Sequence, residues 1–166
     1  TVNGCELSDE QIKIVENICK YNVCILNGAG GTGKSFCTQA AINMLKDNNK
    51  SFRLFSPTGK AAKVLSDYTK EHAMTIHRGL GYMPPDTWNF NEEHKLDCDV
   101  LIIDEFSMTD IFLFKRVLDA VDFNRTKLLL IGDNAQLPSV SCGNLLHDFM
   151  QTNIIPTVTL TKVFRY

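Results

Sequence analysis

Val23-Cys24-Ile25-Leu26 is a continuous apolar run, and Gly28-Ala29-Gly30-Gly31-Thr32-Gly33-Lys34-Ser35 follows it directly. The second stretch has the spacing G-x-x-x-x-G-K-[ST], and a helical pattern begins at its end. Strand, glycine-rich loop and helix in that order make an anion site. The glycines let backbone N–H groups curl inward as a nest. The start of a helix adds unpaired N–H groups and the positive end of its dipole. Lys34 has the reach for β- and γ-phosphates, and the Ser35 hydroxyl suits Mg2+. A plain glycine-rich turn is the alternative, and the flanking strand and helix weigh against it.

Outward from this loop, four more short strands are legible at 52–55, 100–103, 128–131 and 158–160. Three of the five runs are continuously apolar, as expected of strands covered on both faces. Helices are expected at about 8–20, 34–47, 59–70, 110–121 and 143–151. Ser8 followed by Gln11 is a capping-box pattern for the first of them. Alternation of this kind predicts an α/β fold: a parallel sheet of about five strands with right-handed crossovers and helices on both faces. Residues 81–97 break the pattern with two prolines, two asparagines and the only Trp, and read as a short excursion with a strand at 88–90.

Leu101-Ile102-Ile103-Asp104-Glu105 places two acids at the end of an apolar strand. Beside a phosphate loop, Asp104 is the expected Mg2+ ligand and Glu105 the general base that polarises water. Alone, such a pair is equally a solvated strand end. The strand at 127–131 runs into Gly132-Asp133-Asn134-Ala135-Gln136. If that strand lies between the other two, Gln136 arrives near the γ-phosphate, where an amide can sense it.

Composition fits this picture and excludes others. The chain has 166 residues, 44% hydrophobic and 22% charged, with a net charge of −2. Disorder, collagen-like repetition and a disulfide-dense miniprotein are excluded. No apolar run reaches the ~20 residues of a membrane helix. Residues 1–80 carry 10 Lys/Arg against 7 Asp/Glu, and residues 81–166 carry 7 against 12. The positive excess lies between Lys46 and Arg78, which permits a local phosphate-facing patch. Six cysteines without a C-x-x-C pair argue against zinc and for a reducing, cytoplasmic setting. The chain begins without Met, consistent with a piece of a longer protein.

In order, these segments resemble the first RecA-like domain of a RecD-like superfamily-1 DNA helicase, over nearly the whole chain. Leu7-Ser8-Asp9-Glu10-Gln11 resembles the Q-motif, which implies that Gln11 reads adenine. Gly28 to Ser35 resembles motif I, with Gly28, Ala29, Gly30, Gly31, Thr32, Gly33, Lys34 and Ser35 as nucleotide-binding residues. Ser56-Pro57-Thr58-Gly59-Lys60-Ala61-Ala62 is similar to motif Ia and Thr75-Ile76-His77-Arg78 to motif Ib. They imply contacts of Pro57, Thr58, Lys60, Thr75 and His77 with single-stranded DNA. Asp104 to Met108 resembles motif II and Gly132 to Val140 motif III. Leu160 to Arg165 resembles motif IV, whose arginine reaches the γ-phosphate. Phe106 departs from the small residue usual after Asp-Glu, and Tyr166 from the usual Gln.

The resemblance implies a P-loop NTPase, with 1–166 as one RecA-like domain and a second RecA-like domain elsewhere in the parent. ATP and Mg2+ are the implied cofactors and single-stranded DNA the implied partner, with no membrane. Lys34, Glu105, Gln136 and Arg165 are the implied catalytic set. The excursion at 81–97 falls where the family inserts a strand-separating element. The helicase half of a conjugative relaxase shares these motifs. A small-molecule kinase would need a lid and an acceptor site, and neither is legible. A non-catalytic nucleic-acid-binding module would not need Lys34, Asp104 and Glu105 together.

Overall fold

The computed structural model describes residues 8–30, 32–135 and 145–161. In chain order these residues form α1 (Asp9–Lys20), β1 (Val23–Gly28), α2 (Lys34–Asp47), β2 (Phe52–Ser56), α3 (Gly59–Thr69), β3 (Ala73–Thr75) and α4 (Ile76–Gly79). There follow β4 (Tyr82–Met83), β5 (Thr87–Trp88), β6 (Val100–Ile103), a 3₁₀ turn (Phe106–Met108) and α5 (Ile111–Ala120). The last elements are β7 (Lys127–Gly132), α6 (Leu145–Thr152) and β8 (Thr157–Leu160).

Six of the strands make one sheet in the order β3-β2-β6-β7-β1-β8, with every pairing parallel. The expected five strands are therefore six. The one missed, β3, has three residues, too short for a periodic signal. The strand expected at 88–90 is instead the second half of a small hairpin, in which Tyr82 pairs with Trp88.

Strand residues alternate between two cores. Leu26, Leu54, Ile102, Leu129 and Ile131 face the helices α1, α2 and α3. Ile25, Phe55, Leu101, Ile103, Leu128 and Leu130 face the opposite side, against Val117 of α5 and Leu146 of α6. Burial of each such side chain contributes about 1.5–3 kcal/mol. This two-sided burial is why the strands read as unbroken apolar runs. Helix α1 begins with the expected capping box: Ser8 Oγ accepts the Gln11 N–H at 3.3 Å, and Gln11 Oε1 accepts the Ser8 N–H at 3.0 Å. Among the described residues no helix is long and apolar enough to cross a membrane.

Candidate active site

Because all six strands are parallel, their carboxyl ends share one edge of the sheet, the usual place for ligands in open α/β folds. Nearly every site residue expected from the sequence lies along that edge. Thr75 ends β3, Thr58 follows β2, Asp104 follows β6, Asp133 follows β7, and Gly28 ends β1. Strand β7 does lie between β6 and β1. The segment it leads into, with Gln136, lies outside the described residues, as do Gly31 and Arg165.

The loop after β1 folds on itself. Thr32 Oγ1 donates to the Ala29 carbonyl at 2.6 Å. A Cβ on Gly28 would stand 2.5 Å from that hydroxyl oxygen, so this position takes only glycine. Around Gly30 a Cβ would meet nothing within 4 Å, leaving space over the loop. Gly33 is the N-cap of α2 at φ 90°, a left-handed conformation that a Cβ would strain, and no side chain caps the helix. The first N–H groups of α2 are thus available to an anion beside Lys34.

Gln11 is only 2% exposed. Its Oε1 is held in the capping box, and its Nε2 donates to the Gly33 carbonyl at 3.5 Å. It fastens the start of α1 to the start of α2. The neighbouring Glu10 accepts from the Thr161 N–H at 3.0 Å and the Thr161 hydroxyl at 2.6 Å, tying α1 to the end of β8.

Across the edge, Asp104 Oδ1 accepts the Glu105 N–H at 2.9 Å. Burial pushes the Asp104 carboxyl up to about 6, against the pull of that N–H, of the Lys34 ammonium and of the Tyr68 hydroxyl. A desolvated carboxylate at Asp104 and a serine hydroxyl at Ser35, on the same edge of the sheet, are hard oxygen donors of the kind that suit Mg2+. Glu105 sits at φ 52°, a left-handed conformation unusual for a residue with a Cβ. Such strain concentrates at working positions. Phe106 then turns inward, fully buried, with its ring 5.0 Å from Phe114 and 6.1 Å from Phe149. The departure at Phe106 therefore builds the core behind the acids.

Helix α3 carries Tyr68, which packs against the first core; burial pushes its phenol up, with the nearby Asp104 charge adding to the rise, and no motif pointed to it. The buried hydroxyls of Ser56, Ser107 and Thr109 have no hydrogen-bond partner. Two of them flank Asp104 closely: Ser107 is three residues on, and Ser56 ends the adjoining strand.

The residues expected to face DNA come together at the other end of the edge. Ser56 pairs with Thr75, so the segments after β2 and β3 are neighbours. Thr58 Oγ1 accepts the Ala61 N–H at 3.2 Å and Thr75 Oγ1 accepts the Arg78 N–H at 3.1 Å. Both threonines are N-caps that keep a hydroxyl proton to donate outward. Pro57 is half-buried, and Lys60 and His77 are exposed. The His77 ring lies 5.3 Å from Tyr82 and 5.6 Å from Trp88, and the Arg116 guanidinium covers Trp88 at 5.2 Å. Trp88 and Phe90 pack on the second core, so they anchor the excursion at 81–97.

The AAA domain family matches residues 11–142, from the capping Gln to the segment beyond β7. The chain belongs to that family. It is similar to RecD proteins: 159 residues are 37% identical to an ATP-dependent RecD2 DNA helicase of Deinococcus radiodurans, covering 96% of this chain and 22% of the relative. A RecBCD enzyme subunit RecD of Buchnera aphidicola is 35% identical over 146 residues, covering 75% of this chain and 24% of that protein. The fold matches the Pif1 helicase of Candida albicans with a TM-score of 0.73 at 24% identity, over 96% of this chain and 41% of that one. The chain thus spans less than a quarter of the length of these two curated relatives.

Proposed function

We propose that this domain is the ATP-binding motor half of an ATP-dependent DNA helicase, coupling ATP hydrolysis to movement along single-stranded DNA. The observation that carries the reading is the shared edge. A phosphate loop, a paired acid and a cationic, capped face at Thr58–Lys60 lie side by side on one rigid sheet. The RecD-like relatives supply the precedent for DNA and ATP.

In this reading the N–H groups at the start of α2 and the Lys34 ammonium hold the β- and γ-phosphates. Mg2+, held by Ser35 and Asp104, neutralises charge on those phosphates when bound. Glu105 accepts a proton from the attacking water. Gln136 senses the γ-phosphate and Arg165 reaches it, while Gln11 reads the adenine edge once its Nε2 leaves the Gly33 carbonyl, 3.5 Å away in this structure. Pro57, Thr58, Lys60, Thr75 and His77 follow the DNA backbone. A second RecA-like domain of the same parent closes the cleft, and the working setting is the cytoplasm.

Phosphate release, with and without a single-stranded oligonucleotide, tests this. A parent carrying both domains should hydrolyse ATP faster when the oligonucleotide is added. The 166-residue chain alone should stay near background, because a trans arginine is worth about 10³–10⁵ in rate. In the parent, Glu105→Gln should cut turnover by about 10²–10⁴ while ATP affinity holds. Strong DNA-stimulated hydrolysis by the isolated chain would instead mean a self-contained or oligomeric ATPase.

A further inference from the structure

Helix α6 meets the exit of β7 at two successive residues. Leu146 is fully buried, and a Cβ on Gly132 would stand 2.8 Å from its Cδ2, so the helix is pressed onto the last residue of the strand. Beside it, His147 Nδ1 lies 3.3 Å from Asn134 Oδ1, and one turn along α6 Gln151 Nε2 lies 3.1 Å from His147 Nε2. Proton counting gives these bonds a direction. An amide oxygen only accepts, so Nδ1 carries the imidazole proton toward Asn134. Nε2 is then the lone-pair nitrogen and accepts an N–H of Gln151, which keeps the donor on the side that faces Asn134. Asn134 is thus held from two sides, its side chain by His147 and its backbone N–H by Asn27 Oδ1 at 2.8 Å. The row Gln151, His147, Asn134, Asn27 runs from the exposed surface of α6 to the residue before Gly28.

We infer that His147 is a positioning residue for the phosphate loop, acting through Asn134 and Asn27. This role rests on the nucleotide-site reading above and adds to it a helix on the opposite face of the sheet from α2. With its side chain bonded to His147, Asn134 has fewer orientations in which to offer its N–H. The Asn27 amide, and the end of β1 with it, then meets a fixed donor. A loop that binds an anion through several N–H groups loses affinity when it must first be ordered. Removing one brace from such a network changes affinity by about 2–30-fold.

His147→Phe keeps a ring and removes both nitrogens, whereas His147→Asn puts an amide N–H where Nδ1 stands. The 166-residue chain and these variants are titrated with a fluorescent ADP analogue. His147→Phe should bind it about 2–30-fold more weakly, and His147→Asn should bind like the unaltered chain. In a double variant with Asn27→Ala the His147→Phe loss should disappear, because Asn27 is the route by which it acts. Unchanged affinity in His147→Phe would overturn the inference. So would His147→Asn binding as weakly as His147→Phe, or losses that multiply in the double variant. The His147 pair decides the question even where Asn27→Ala does not fold. If the unaltered chain binds no analogue at all, the phosphate-loop reading itself fails, and the role of His147 falls with it.

Discussion

Asn27 Oδ1 accepts the backbone N–H of Asn134 at 2.8 Å. The end of β1, one residue before the glycine-rich loop, is thereby pinned to the segment that leaves β7. Asn27 is 8% exposed, and its Nδ2 reaches the Thr159 hydroxyl at 3.5 Å, so one amide spans three adjacent parallel strands. The loop proposed to hold phosphate and the segment that leaves β7 are tied together by this side chain.

Asn27→Ala leaves the part-buried Asn134 N–H without its acceptor, which costs about 1–3 kcal/mol. Urea unfolding should show a lower midpoint with an unchanged slope. Nucleotide affinity should fall as well, because the loop loses its tie to β7. A variant as stable as the parent chain would mean that water replaces the amide without loss.

The raised Asp104 carboxyl gives a pH signature. Its ionisation is costlier in the folded chain than in the unfolded one, where the ordinary value is 3.8 against about 6 here. The cost is absent below about pH 4, grows between the two values, and is complete above about pH 6. Asp104→Asn removes it. Without Mg2+ that variant should be the more stable one above pH 6, by on the order of 1–3 kcal/mol. Below pH 4 the advantage should vanish. With Mg2+ and nucleotide the order should reverse at pH 7.5, since only the ionised carboxylate binds the cation. Thermal melts across pH 3–8 report all three.

At the DNA face, Lys60 and His77 should separate by salt. Lys60→Ala should weaken oligonucleotide binding and lower the salt slope by ~0.7, the value of one phosphate contact on a single strand. His77→Ala should weaken binding through loss of a ring that meets Tyr82 edge-on and lies tilted against Trp88, with the slope unchanged. ATP affinity should hold in both. Fluorescence anisotropy at several salt concentrations measures this. If both variants bind like the parent chain throughout, DNA runs over another surface.

Much of this edge was legible because its parts are local. Strands β1, β6 and β7 are unbroken apolar runs, and the loop from Gly28 to Ser35 is decided by steric needs at Gly28 and Gly33. The acids after β6 and Thr58 after β2 follow from strand ends, whereas Thr75 is legible only through the motif resemblance. What was not legible depends on contacts across the fold. Strand β3 is defined by pairing with β2, since three residues carry no pattern of their own. Tyr68 reads as an ordinary helix residue until α3 is packed against α2. Phe106 reads as a departure from a motif until Phe114 and Phe149 surround it. The Asn27–Asn134 tie spans 107 residues, and no spacing announces it.

The most direct test of the whole account is binding of a fluorescent ATP analogue with Mg2+ to the 166-residue chain and to Lys34→Ala, both checked for folding by circular dichroism. The account predicts saturable binding by the unaltered chain and none measurable for the variant. The variant loses the one cation aimed at the β- and γ-phosphates and keeps every backbone N–H of the loop. Equal affinity in the two folded proteins would contradict it and would mean that Gly28–Ser35 is not a phosphate site.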